Sequence, residues 1–489
     1  MDGLNKEILR LAIPSIFANI TVPLVGMVGL AVAGHLTGPD GVGAAAFIGG
    51  MSIGTMLFDL LYWNFGFLRA GTGGLTAQAF GRGDMRECGL IFARAFGIAL
   101  AVATIIIALQ WPFIQLCFAF IKCSPEVKEL ASQYFYVRVW AAPATLSLMG
   151  FKGWFIGMQD SFSSMMCDII VNVINIVASL VLALGIGDWA GMGFPGIALG
   201  TVIAQYCGLT YALSTLAVKY RKKVFASLRR EDVNEVFKGE QMRRFLAMNA
   251  NIFVRSVCFI AIYIGFTVIS ARYGDLMLAT GTIMMNLMLL FSYVTDGFAY
   301  AGEALTGRFI GEGSKALTRK TVKWVFIWSM SLAAIFTLVY AVSGTPLLRL
   351  MTSDVEVLEA CREFLPWLVV TPLVGCAAFT WDGIYLGATA SRGVRNAMLV
   401  AVVAFFGCFF IGYFWMNAQD LTEARLNATA IHLLMVGYFA HLLARTILLT
   451  KQYRREVLDA NFPLSPPLRG IEGEIDGAAA VRGYSEGWM

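Results

Sequence analysis

Runs of apolar residues, each roughly 20 long and so able to cross a bilayer as a helix, alternate along the chain with short polar breaks. Six fall near 8–33, 45–68, 91–116, 132–157, 165–186 and 195–217, and six more near 246–270, 277–301, 321–343, 363–388, 396–416 and 428–450. The pattern predicts an all-α integral membrane protein of about twelve transmembrane helices. Between the two sets lies a polar segment, 219–244, with Arg221, Lys222, Lys223, Arg229, Arg230, Lys238 and Arg243. Short loops rich in Lys and Arg stay cytoplasmic, so this linker and, with six spans on either side, both termini are expected inside. Arg69, Arg82 and Arg86 after the second run agree, as do Arg308, Lys315, Arg319 and Lys320 after the eighth, whereas 34–44 and 187–194 contain no Lys or Arg. The division expected is a six-helix lobe over 1–218, a cytoplasmic linker over 219–244, a second six-helix lobe over 245–450, and a largely disordered cytoplasmic tail over 451–489 with Pro463, Pro466 and Pro467.

Composition supports the membrane assignment. Of 489 residues, 58% are hydrophobic and 14% charged, where a soluble chain has about a quarter charged; mean hydropathy is +0.69. The net charge of +5 sits in loops without interleaved stacking aromatics, which excludes a nucleic-acid partner. The nine cysteines fall mostly in apolar runs (Cys167, Cys207, Cys258, Cys376, Cys408) without metal-ligand spacing, and Cys117 and Cys123 read as ordinary thiols. With only His35, His432 and His441, and no HExxH, nucleophile elbow or phosphate-binding loop, no catalytic machinery is visible. The start, MDGLNKEILRLAIP, runs into a span long enough to remain in the membrane.

The halves repeat at a constant offset. Leu75-Thr76 followed by Gly81 and Gly83 is matched by Leu305-Thr306 followed by Gly311 and Gly313, and Gly153, Phe155, Gly157 and Ser161 by Gly383, Tyr385, Gly387 and Ser391, each 230 positions later. Six spans per repeat relate the lobes by an axis along the membrane normal, a transporter layout with substrate handled in a central cavity between two pseudo-symmetric lobes. The glycines themselves read as close helix packing and tight turns.

Charges inside the spans are the candidate chemistry. An acid at the bilayer centre costs about 2.5 to 3.5 kcal/mol on insertion scales, so such residues turn inward to partners, water or an ion. Asp296 and Glu303 lie two helical turns apart in FSYVTDGFAYAGEALTGRFIGEG with Tyr300 between them, on one face; Glu303 also reads as a residue near the cytoplasmic turn. Lys152 and Asp382 stand at matching places in the repeat, each one residue before a Gly-x-aromatic-x-Gly pattern, where opposite charges can face the cavity; snorkelling or a fixed salt bridge is the other reading of Lys152. Arg255 cannot carry a proton but can hold a carboxylate ionised, with Asp296, Glu303 or Asp382 as partner. Protonation or cation binding at such acids changes their ion pairing and biases one of two conformations. Met56, Met284, Met285, Met288, Phe291, Tyr62 and Tyr293 offer soft aromatic surface, or ordinary packing.

Several long motifs carry a family resemblance: LAIPSIFANITVPLVGMVGLAVAGHL at 11–36, FGFLRAGTGGLTAQAFGRGD at 65–84, GWFIGMQ at 153–159, DGFAYAGEALTGRFIG at 296–311 and DGIYLGATASRGVRNAM at 382–398. From about residue 5 to 450 the chain resembles the multidrug and toxic compound extrusion (MATE) transporters, most closely the DinF-like branch. The resemblance implies a monomeric two-lobed exporter in a plasma or bacterial inner membrane, without cofactor, using a proton or sodium gradient to expel amphipathic, often cationic, compounds. A lipid-linked precursor flippase of the same superfamily is the alternative, with a membrane enzyme behind it; such flippases are expected to line the cavity with several Arg and Lys, whereas Lys152 and Arg255 are the main deep cations read here.

Two departures bear on coupling. The aspartate that DinF-like proteins carry in the first helix is Gly29 here, and the acid common in the fifth helix after paired asparagines is Ser179. Asp168 precedes Asn172, Asn175 and Ser179 at spacings of four, seven and eleven, one polar stripe on a helix, and Asp59 lies inside the second span. Asp59 with this stripe is the expected relocated ion or proton site of the first lobe; Asp168 solvated at its helix end is the other reading.

Overall fold

The structure, a computed structural model, describes residues 3–36, 44–121, 123–224, 236, 239–352, 354–418 and 423–462. Helices α1 (Gly3–Gly34), α2 (Ala44–Tyr62), α3 (Phe67–Gly81), α4 (Met85–Ala108), α5 (Gln110–Phe120), α6 (Pro125–Arg138), α7 (Ala142–Gly157), α8 (Ser161–Leu184) and α9 (Phe194–Thr215) form the first lobe. The second contains α10 (Glu240–Ala271), α11 (Asp275–Gly311), α12 (Lys315–Met351), α13 (Val355–Gly387), α14 (Ser391–Asn417) and α15 (Glu423–Tyr453). By length and composition, eleven units among the described residues can cross a membrane. The remaining expected span, 132–157, is split: Pro143 stands in the first turn of α7, where it lacks the N–H that would continue the ladder, and a 3₁₀ turn, Val139–Ala141, joins α7 to the more polar α6. A similar turn, Trp63–Gly66, joins α2 to α3 within one crossing.

Each lobe has its own apolar core, one built on Leu57, Phe58, Phe135 and Leu146, the other on Phe266, Met284, Phe291, Phe364 and Phe405. The lobes meet along α3 and α11, with α1 against α11, α10 against α3, and α13 against α3. Asp84 and Ser314 cap α4 and α12 by accepting from the backbone N–H of Glu87 and Leu317. The expected linker residues Arg229, Arg230 and Lys238, and the chain from Pro463 onward, lie outside the described residues. The expectation of disorder from residue 451 is corrected for its first part. Helix continues through a π turn, Arg454–Asp459, because Val457 and Leu458 are buried and Val457 packs with Trp381 and Tyr385.

The internal repeat is structural. Gly83 and Gly313 both take left-handed φ values, 73° and 75°, and so do the non-glycine pair Gln159 and Thr389, at 62° and 56°. A Cβ on Gly153 would overlap the carbonyl of Arg69, and one on Gly383 the carbonyl of Ala299, the same contact 230 residues on. Between the lobes the contact is reciprocal: Gly81 seats against the carbonyl of Arg308, and Gly311 against that of Gln78. Exchanging the halves returns the same crossing, so a two-fold axis passes through it. The cavity lies beside this seam.

Candidate transport cavity

The charged side chains of the cavity are carried on five helices from both lobes. α3 supplies Arg69, α10 Arg255, α11 Asp296, Tyr300 and Glu303, α13 Asp382, and α15 Arg445. They line a space of about 320 Å³ between the lobes with Tyr62, Trp63, Phe259, Tyr293 and Phe379. The helical spacing of Asp296, Tyr300 and Glu303 therefore does present all three to one side.

Glu303 is 0% exposed. Its Oε2 lies 3.1 Å from Nη1 of Arg69, whose guanidinium stacks 4.2 Å from the centre of the Tyr300 ring. Two expectations are corrected. Glu303 is not at a helix end, because α11 runs to Gly311, and Arg69 is not in a loop, because the crossing that begins at Ala46 continues to Gly81. Both extensions are rich in Gly, Ala and Thr, which bring backbones close and supply little apolar bulk.

Asp382 is the partner of Arg255. Its Oδ2 accepts from Nη2 of Arg255 and, at 2.6 Å, from Nη2 of Arg445. Arg445 escaped the sequence reading: it stands alone near the end of an apolar run and looks like a snorkelling residue, though its four-residue spacing from His441 marks a polar patch on that helix face. Asp296 makes no hydrogen bond or ion pair among the described residues.

The first lobe is arranged differently. Lys152 forms a salt bridge with Asp168 at 2.9 Å, the fixed-pair reading, and neither lines the cavity. Asn172 donates to Thr21 on α1, and Asn175 to Thr201 on α9 at 3.3 Å, while Ser179 donates to Asn175 at 3.1 Å. The stripe is thus divided among three neighbours. Asp59 is exposed and makes no hydrogen bond or ion pair among the described residues, and Asp168 is taken by Lys152, so no contact joins Asp59 to the stripe. At Gly29 the thioether of Met51 occupies the space a side chain would need. Met284, Met285, Met288 and Phe291 are core, whereas Tyr62 and Tyr293 reach the cavity.

The MatE family profile matches residues 14–181 and 252–415, one stretch in each lobe. The chain belongs to the MatE family. DNA damage-inducible protein F of Escherichia coli K12 is 32% identical over 409 residues, 82% of this chain and 84% of its own length. Multidrug resistance protein MdtK of Edwardsiella ictaluri is 21% identical over 92% of this chain and 95% of its own. Among solved structures, the outward-facing conformation of a multidrug resistance MATE family transporter superposes with a TM-score of 0.77 at 16% identity, covering 94% of this chain and 97% of that one. This MatE protein is a multi-pass membrane transporter and not an enzyme, and the fold of its relatives is the two-lobed one described above.

Proposed function

We propose that this MatE protein exports amphipathic small molecules by alternating access, driven by protons or sodium ions entering through the inter-lobe cavity. The observation that carries this reading is the graded engagement of three carboxylates on one cavity wall: Glu303 held by one arginine, Asp382 by two, Asp296 by none among the described residues. Asp296 is the group that takes up the coupling ion, and Asp382 and Glu303 transmit the change through Arg255, Arg445 and Arg69, because altering one charge redistributes the attraction holding the others. Met51 against Gly29 and the hydrogen-bonded Ser179 support a second-lobe site, and Asp59 ranks behind it. The protein works as a monomer in the inner or plasma membrane with both termini cytoplasmic, its lobes, 1–218 and 245–450, moving as the two bodies.

Transport of a fluorescent amphipathic dye in proteoliposomes under separately imposed proton and sodium gradients is the test. At least one gradient drives export, and Asp296→Asn and Asp382→Asn each slow it about tenfold, equivalent to about 1.4 kcal/mol, with insertion unchanged. Indifference to both gradients, or wild-type flux in Asp296→Asn, overturns the reading.

A further inference from the structure

Three arginines and three carboxylates line the cavity, Arg69, Arg255 and Arg445 with Asp296, Glu303 and Asp382. The sum is zero, so their arrangement decides what is attracted. Glu303 is taken by Arg69, but Asp382 is shared by Arg255 and Arg445, which leaves one positive charge beyond what that carboxylate balances. The surplus is visible atom by atom. Nη1 of Arg445, whose side chain is 3% exposed, and Nε of Arg255 are buried without an acceptor among the described residues. Oδ1 of Asp382 and Oε1 of Glu303 are also unpartnered; turning Oδ1 to one of these donors still leaves the other donor, and since Glu303 is already neutralised by Arg69, the surplus charge remains. A buried charged donor without an acceptor is unfavourable, so this wall favours an anionic group that reaches it. Asp296, which lines the same space, is the complementary negative group, and Phe259, Tyr293, Tyr300 and Phe379 supply aromatic surface around both.

We propose that the substrate is a zwitterionic amphiphile, its carboxylate or sulfonate held by Arg255 and Arg445 and its cationic group facing Asp296. A compound bearing only a cation satisfies Asp296 and leaves the arginine surplus uncompensated in a low-dielectric space. The word substrate rests on the transport reading above; the binding preference does not depend on it.

Rhodamine B, which carries a xanthene cation and a free carboxylate at neutral pH, and its ethyl ester, which keeps the cation and loses the acid, are matched probes. Equilibrium binding to the purified full-length protein in detergent is expected to favour the free acid about tenfold, the scale of one charge-assisted hydrogen bond. Arg445→Gln weakens the acid by about that factor and leaves the ester within about twofold, so the preference disappears; Arg255→Lys, which keeps the charge, retains part of it. Ester binding to the wild type as tight as acid binding overturns the proposal even if no variant folds, and so does equal weakening of both dyes in Arg445→Gln. A retained preference with no gradient-driven flux leaves this inference standing and removes the transport reading alone.

Discussion

The Arg69–Glu303 pair shows what a single buried charge demands of its surroundings. Glu303 has no exposure and, among the described residues, one ionic partner, on the opposite lobe. Arg69→Ala is therefore expected to lower stability by about 3 to 5 kcal/mol, because it strands a carboxylate, while adding Glu303→Gln recovers part of the loss; thermal unfolding in detergent measures both. Asp160, in the turn before α8, is a second case. Its Oδ2 accepts from Lys219, Tyr220 and Ser163, each at 2.7 Å. Burial pushes its carboxyl up, but the bonds from Lys219, Ser163 and Tyr220 outweigh that and hold it below the ordinary 3.8. A depressed carboxyl stabilises the fold above the unfolded-state pKa, and the contribution is lost as pH falls through the folded value. The melting temperature of Asp160→Asn is thus expected to lie below that of the wild type at neutral pH, with the gap closing below about pH 4. Asp296, Asp382 and Arg255 were legible in sequence because each is a charge inside an apolar run, and Glu303 because it lies two helical turns from Asp296 on the same face. Arg69 was not, because it falls just past the end of the second run, and neither was Arg445, which near the end of its run looks like a snorkelling residue.

Helix α11 explains much of that misjudgement. At 37 residues and 1.5 Å per residue it spans about 55 Å, well beyond a hydrocarbon core of about 30 Å. Its apolar half announces itself, and its small-residue half does not. The same holds for α3, whose Gly71, Gly73 and Gly74 fall beyond the apolar run that ends near 68 and pack as a helix. Periodicity reports what faces lipid or core, whereas helices that touch through their backbones are encoded by what is missing, and only the 230-residue repeat hinted at their role. Gly153 and Gly383 occupy equivalent seats against the carbonyls of Arg69 and Ala299. Gly153→Val and Gly383→Val are each expected to destabilise their own lobe by about 1 to 3 kcal/mol or more through overpacking, visible as matched falls in melting temperature; a wild-type value for either would show that its seat relaxes.

For the molecule as a whole, the apolar pattern was enough to place two lobes and about twelve crossings, because membrane spans must satisfy their backbone internally and advertise themselves by length. The seam between the lobes was beyond that pattern, since its contacts join residues far apart in sequence. Enlarging Gly81 or Gly311 is expected to weaken that seam. In a cysteine-free chain carrying Thr306→Cys, Gly81→Val and Gly311→Val should each raise labelling by a membrane-impermeant maleimide to a similar degree, while protection equal to the parent chain would show that the seam tolerates the added volume. The similarity of the two effects is itself informative. A crossing that is its own image places equivalent contacts at both of its latches, so if the proposed alternating access parts the lobes here, the two latches are expected to let go together and a bias applied to either lobe to be felt by the other.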